Sequence, residues 1–355
     1  MRPLLILAAC LAASPLGAFA AEPRVGLAAP LTGASELLGA QMRSGAEAAA
    51  HDTRASLEIV DDACTADGGA AAARRFVEAG VVVATGFLCT ESIEAALPIL
   101  KDAGIPVIAT GIRSNALTDR RARTGWPVVR LAPRADDEVE AASAILGPAW
   151  RTQLFAIVDD GTIYSRDLSE GFRLALEQQG LRATFVDTLR PQLDNQIGLA
   201  GRLRKSGATH VFVAADRADV AILGRDAAQL GYALTIAGGE VLRAASEDVD
   251  LAEGTLMIGL PEWSAVADPS VVARLRDAKV EPEGYVLPSY AAVEIATQAA
   301  RTAAANDTSV MSALADQEFS TVLGPIGFDE KGDRTDNPYR LYRYQGGAFT
   351  EMEIK

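Results

Sequence analysis

The sequence predicts an α/β fold of two doubly wound parallel-sheet lobes, and three observations carry that prediction. Short apolar runs rich in β-branched residues alternate with Ala-rich stretches of helical period along nearly the whole chain. Those apolar runs do not alternate with polar residues, as strands covered on both faces require. Glycines such as Gly80 and Gly104 stand just past the helical stretches, where a left-handed C-cap residue is favoured. The 355 residues, 49% of them hydrophobic and 23% charged, suffice for two domains and indicate neither a disordered chain nor a membrane bundle.

In chain order, residues 24–29 form the first strand, which Pro30, Thr32 and Gly33 stop. Residues 37–51 are helical, with Met42 and Ala46 on a repeating face. Residues 57–60 are strand, 70–79 helix, 81–85 strand, 91–103 helix and 106–109 strand. After a strand at 128–131 a second series begins, with strands at 154–158, 183–188, 210–214, 234–237 and 255–260. Helices at 168–178, 197–205 and 220–230 separate them. Helices at 269–278 and 288–304 follow, and the chain ends in short strands. No short-period repeat, low-complexity tract or flexible linker interrupts this order, so the crossings near residues 130–133 and 259–263 read as tight connections. Two rigid lobes on tight crossings suit hinge closure.

The N-terminus has the anatomy of a cleaved export signal. Arg2 supplies positive charge, residues 4–13 are apolar, Ser14, Pro15 and Gly17 break the run, and Ala18-Phe19-Ala20 has the small-x-small form of a cleavage site. Cleavage is expected after Ala20, and the apolar run is too short to span a bilayer. Leu7-Ala8-Ala9-Cys10 also has lipobox form, which leaves a lipoprotein anchor at Cys10 as the alternative. With 33 basic against 47 acidic residues, the surface repels phosphate backbones, and nucleic acid is excluded as a partner. Loss of Arg2 makes the exported chain one unit more acidic. Cys64 and Cys89 then remain, an even pair in an oxidising compartment, so one disulfide is expected, with two buried thiols as the alternative. A strand, a helix and a further strand are expected between them, returning Cys89 toward Cys64.

The residues for catalysis are not assembled. His51 and His210 are the only histidines, and neither has a Ser or Cys nucleophile in a recognisable motif. The sequence holds no nucleophile elbow, Walker A loop, dinucleotide fingerprint or paired-His metal motif. We therefore expect no enzyme, cofactor or metal. The pairs Asp61-Asp62 and Asp159-Asp160 are expected to be solvated turn acids at strand ends. In open α/β sheets ligands bind outside the carboxyl ends of the strands, so the loops after strands are the place to look.

Several segments resemble the leucine/isoleucine/valine-binding protein family: residues 25–33, Gly39 and Gln41 with Gly45-Ala46-Glu47, residues 61–64 and 86–90, residues 105–108 with 115–118, residues 289–293, and residues 324–333. The resemblance covers nearly the whole chain after the signal. It implies a type I periplasmic binding protein, with two lobes joined by three crossover segments and a ligand enclosed between them. It implies a periplasmic location, a small-molecule ligand such as an amino acid or small carboxylate, and delivery to an ABC permease with cytoplasmic ATPase subunits. The lobes are expected at residues 21–131 plus 262–323 and 132–261 plus 324–355, in a monomer.

The family's ligand positions fall on Leu88, Cys89, Thr90, Gly111, Tyr164, Glu240 and Tyr285. Thr90 opens a helix, where a hydroxyl and free N–H groups suit a carboxylate, although a plain N-cap is the structural alternative. Glu240 falls on the acid that pairs with the ligand ammonium. Two departures stand out. Arg113 replaces a small hydroxyl residue, and Ala215-Asp216-Arg217 stands where the second lobe usually offers a tyrosine. Arg113 and Arg217 are therefore added as ligand candidates, because a guanidinium in a cleft favours a planar anion. The alternative is that Arg113 turns outward beside Arg120, Arg121 and Arg123. The expected function is capture of a branched-chain or other amino acid for transport. The alternatives are binding of an organic acid or amide, a sensor module of the same fold, and a secreted enzyme.

Overall fold

The computed structural model describes residues 22–353 except 246–247 and 316; the expected signal, its cleavage site and Cys10 lie outside the described residues. The first half alternates β1 (Arg24–Ala29), α1 (Glu36–Thr53), β2 (Ser56–Asp61), α2 (Ala66–Ala79), β3 (Val83–Gly86), α3 (Thr90–Asp102) and β4 (Val107–Ala109). Two short helices, α4 (Ala116–Asp119) and α5 (Arg121–Thr124), lead to β5 (Val128–Arg130). These strands form one parallel sheet in the order β2-β1-β3-β4-β5.

The second half runs α6 (Asp137–Trp150), β6 (Phe155–Asp159), α7 (Ile163–Gln178), β7 (Phe185–Thr188), α8 (Ile197–Ser206), β8 (His210–Ala214), α9 (Arg217–Gln229) and β9 (Thr235–Gly238). A single 3₁₀ turn, Glu240–Arg243, precedes β10 (Leu256–Gly259). The chain returns to the first lobe through α10 (Trp263–Val266), α11 (Pro269–Asp277), α12 (Val286–Asn306), α13 (Val310–Ala315), β11 (Phe319–Thr321) and β12 (Gly324–Ile326). It ends with β13 (Arg340–Gln345) and β14 (Ala348–Glu351), which add two antiparallel edge strands to the second sheet, ordered β14-β13-β10-β9-β8-β6-β7. The architecture is the expected one of two doubly wound lobes joined by three crossings.

Each sheet is covered on both faces. In the first lobe, Leu27, Val83 and Ile108 pack with α1 and α12, while Ala84, Val107 and Val128 meet Phe76, Ile93 and Leu97 from α2 and α3. In the second, Val158, Val211 and Val213 face α8 and α9, while Ile157 and Phe212 face Phe172 and Trp150. Thr65 and Thr162 cap α2 and α7 by accepting from Gly68 N and Ser165 N.

Four sequence expectations change. The expected element order omits α6, whose pattern is interrupted by Gly147 and Pro148 in its last turn. Only α2 and β3 separate Cys64 from Cys89; β2 precedes them both. Ile326 and Phe328 pack in the first lobe's core, so the third crossing lies beyond residue 328, later than the expected 324. Asp62 and Asp160 are buried, not solvated. Asp62 accepts from Ser92 Oγ at 2.6 Å and Cys64 N at 3.1 Å, and Asp160 accepts from Thr162 N at 2.9 Å, so both fasten the turns that follow their strands.

Candidate functional site

The loops that follow β4 in the first sheet and β9 and β10 in the second meet at the three crossings. Between them lies a cavity of about 330 Å³. Leu131, Ala132 and Pro133 from the first crossing, Leu260 to Trp263 from the second and Arg334 from the third line it. Thr110, Gly111, Arg113 and Tyr285 come from the first lobe, and Glu240 and Arg243 from the second. The wall is largely apolar with a few convergent charges, the usual make-up of a small-molecule site.

Arg113 is the polar centre. It leaves the loop after β4 and crosses to the second lobe, where Nη1 donates to Glu240 Oε2 at 3.3 Å and Nη2 donates to Tyr339 Oη. Its guanidinium lies 5.7 Å from the Tyr339 ring centroid, and Glu138 Oε2 stands 4.0 Å from Nη2. The outward alternative for Arg113 does not hold: the side chain lines the cavity.

Glu138 lies behind this pair on the first turn of α6 and is 1% exposed. It accepts from Tyr164 Oη, 3.0 Å from each carboxylate oxygen, and from Glu240 N at 2.7 Å. Gly239 makes the approach possible, since a Cβ there would stand 2.4 Å from Glu138 Oε1. Burial, followed by the nearby Glu240 charge, pushes the Glu138 carboxyl above the ordinary range, against its hydrogen bond from Glu240 N and the Arg113 charge. Tyr164 as a residue is 42% exposed, but its hydroxyl is turned in against Glu138; desolvation there and the adjacent Glu138 push the hydroxyl up, so it stays a neutral donor. Tyr285 is also raised, by burial.

Of the positions expected from the sequence, the structure brings Gly111, Arg113, Glu240 and Tyr285 to this cavity. Leu88 lies behind the wall, against Gly111, where a Cβ would meet Leu88 Cδ1 at 2.7 Å. Cys89 is the N-cap residue of α3, and its sulfur is bound to Cys64 with a Cα–Cα distance of 5.2 Å. Thr90 is the first helical residue and not the cap; neither Cys89 nor Thr90 lines the cavity. Tyr164 reaches the site only through Glu138. Arg217 is not brought to this cavity: its guanidinium donates to Leu242 O at 2.7 Å and lies over the Tyr344 ring at 5.2 Å. This buried arginine ties α9 to the 3₁₀ turn after β9 and to β13.

Sequence reasoning missed Thr110, Glu138, Tyr339 and Arg243. A glutamate in the acidic first turn of a helix looks like ordinary dipole compensation, and only its burial sets Glu138 apart. His51 is exposed beside Asp52 in the first lobe, and His210 lies 5.4 Å from Trp150 in the second. Among the described residues no cluster of three or more His, Cys, Asp or Glu is arranged to hold a metal. No described helix is long and apolar enough to cross a membrane.

Residues 22–348 match the family described as periplasmic binding protein. The Leu/Ile/Val-binding protein homolog 1 of Brucella melitensis is 27% identical over 343 residues, which cover 92% of each chain. An ABC transporter substrate-binding protein from Desulfitobacterium hafniense, solved with Leu, superimposes with a TM-score of 0.69 at 20% identity, covering 93% of this chain and all of that one. A solute-binding protein from Rhodopseudomonas palustris HaA2, solved with p-hydroxybenzoic acid, gives a TM-score of 0.67 at 15% identity, covering 94% and 96%.

Proposed function

The chain belongs to the periplasmic binding protein family, and on that premise we propose that it is the exported solute-binding component of an ABC transporter. It captures a small α-amino acid with an apolar side chain between its lobes and presents it to an inner-membrane permease. The single observation behind the choice of ligand is the Arg113–Glu240 pair in the cavity wall. The ligand carboxylate meets Arg113 and its ammonium meets Glu240, while the side chain lies among Leu131, Pro261, Trp263, Tyr285 and Leu323. Arg113 comes from the first lobe and Glu240 from the second, so a zwitterion bridges the lobes and makes contacts available only when they are closed. The protein binds and releases without turning its ligand over, acts as a monomer, and reaches the periplasm once residues 1–20 are removed.

One observation favours a second reading. Arg113 already occupies the Glu240 carboxylate, where an ammonium would sit. An amine-free carboxylate leaves that pair intact and uses the remaining guanidinium donors. The Brucella relative is named for leucine, isoleucine and valine, and the Rhodopseudomonas neighbour was solved with an aromatic acid.

Calorimetric titration with leucine, isoleucine, valine, 4-methylpentanoate and benzoate separates these readings. Tight binding of leucine with loss on removal of the amine supports the amino-acid reading. Tight binding of the acids alone supports the second. No binding of any of them removes this ligand class. A thermal scan checks the result, since ligand at a hundred times its Kd adds about 2.7 kcal/mol.

A further inference from the structure

Resting on that reading of the cleft, we propose that Glu138, without touching the ligand, sets which charge type the site accepts. It takes a proton from solvent when an amine-free carboxylate binds, and stays ionised opposite an α-amino acid.

The argument is one of charge count in a confined space. Two carboxylates, Glu138 and Glu240, share one guanidinium; Arg113 is the only cation within 4.0 Å of either among the described residues. The groups facing Glu138 are Tyr164 Oη from α7, the Glu240 N–H and carboxylate from the turn after β9, and Arg113 from the loop after β4. On its own helix, Asp137 is turned to Arg134 N, at 2.7 Å. Tyr164 Oη and Glu240 N–H are neutral donors, so Arg113 supplies the positive charge next to Glu138; Arg243 and Arg334 also line the cavity, but each is paired with an acid of its own, Glu262 at 2.6 Å and Asp336 at 2.7 Å.

A ligand carboxylate on Arg113 puts three anions around that one cation. The guanidinium is then shared three ways, and the anion farthest from water is the one that protonates. Glu138 is that anion, 1% exposed, and burial already favours its neutral form. The proton it takes replaces the missing counter-charge. An α-amino acid carries its own ammonium to Glu240, so binding it requires no proton. Protonated Glu138 keeps an acceptor oxygen for Glu240 N–H and gains an O–H donor that Tyr164 Oη accepts, so the frame survives the change.

The test is calorimetry of leucine, 4-methylpentanoate and benzoate in two buffers of different ionisation enthalpy, which counts the protons exchanged. The expected result is uptake approaching one proton for the two acids and none for leucine. Affinity for the acids then falls by up to about tenfold for each pH unit above the free-protein pKa of Glu138, while leucine affinity stays level. Glu138→Gln keeps the side-chain shape and cannot titrate. In that variant the acids bind independently of pH and several-fold tighter than to wild type at pH 8, whereas leucine binds several-fold more weakly. Opposite signs for two ligands of similar shape do not arise from a loosened fold. Glu138→Asp restores proton uptake. Acids bound without proton uptake, or both ligand types weakened alike by Glu138→Gln, overturn the inference and leave the binding function standing. No binding by any probe removes the binding reading itself, and the inference with it.

Discussion

The molecule has two interlobe arginine centres, and they are built to opposite ends. At the crossings Arg130 is fully buried, and every arm is occupied: Nε donates to Asp333 Oδ1 at 2.8 Å, Nη1 to Ser114 O and Nη2 to Thr118 Oγ1, each at 2.6 Å. Arg134 donates to the other Asp333 oxygen at 2.7 Å and pairs with Asp119 and Asp136. First and third crossings are thereby stitched together. In the cleft, Arg113 makes longer contacts to Glu240 and Glu138, and about a third of its side chain stays open to solvent. A saturated buried pair fixes geometry. A half-satisfied pair beside a cavity leaves donors for something that arrives later.

The largest expected effect lies at the saturated centre. Asp333→Ala strands Arg130 and Arg134 without their carboxylate, and breaking such a buried pair costs about 3–5 kcal/mol. Denaturant unfolding should show that loss, with ligand affinity at the folded baseline nearly unchanged. If the variant instead loses affinity with little change in stability, the crossing network belongs to the closing motion.

A half-buried carboxylate with no arginine sharpens the contrast. Glu294 accepts from Val322 N at 2.6 Å, and burial, with Asp52 and Asp268 adding negative charge, lifts its carboxyl from 4.5 to about 7. Between those values the folded chain holds more protons than the unfolded one. Its contribution to stability therefore falls as pH rises from about 4.5 to about 7, by on the order of 3 kcal/mol, and levels off above. Glu294→Gln should remove that slope from a series of melts at different pH; an unchanged slope would assign it to other groups.

Arg113→Ala is expected to do the reverse of Asp333→Ala. Stability should shift by less than about 1 kcal/mol, because the pair is partly solvated. Affinity for a carboxylate ligand should drop by about 10- to 100-fold, the range of a charge-assisted hydrogen bond. A large loss of stability would make Arg113 a structural tie like Arg130.

The fold was legible because it rests on signals that repeat. Apolar β-branched runs and helix-ending glycines marked most elements, and the order of motifs marked the family. The site was legible where the resemblance supplied a position, as with Gly111, Glu240 and Tyr285, and where a residue type was out of place, as with Arg113. Arg217 looked equally out of place, yet the chain spends it on Leu242 O and Tyr344. Glu138 and Tyr339 carried no signal, since their importance comes from burial against residues about 100 positions away, Glu240 above all. Local pattern places side chains on faces; it does not count the charges that a fold brings together.

The smallest expected effect tests how far the cleft extends. Thr90 opens α3 but does not line the cavity, and Cys89, committed to its disulfide, gives no side-chain cap. Thr90→Ala should therefore change stability by less than about 0.5 kcal/mol, the scale of substitutions away from special features. Ligand affinity, measured by the same titration, should change less than about threefold, well short of a charge-assisted hydrogen bond. A loss above tenfold would place the ligand carboxylate at the N-terminus of α3, where the helix dipole and free N–H groups suit an anion. The lobes would then have to close around a ligand seated deeper than Arg113, and Arg113 would be a lid over the site in place of its anchor. The Thr90 and Arg113 variants together decide which end of the first lobe holds the charge.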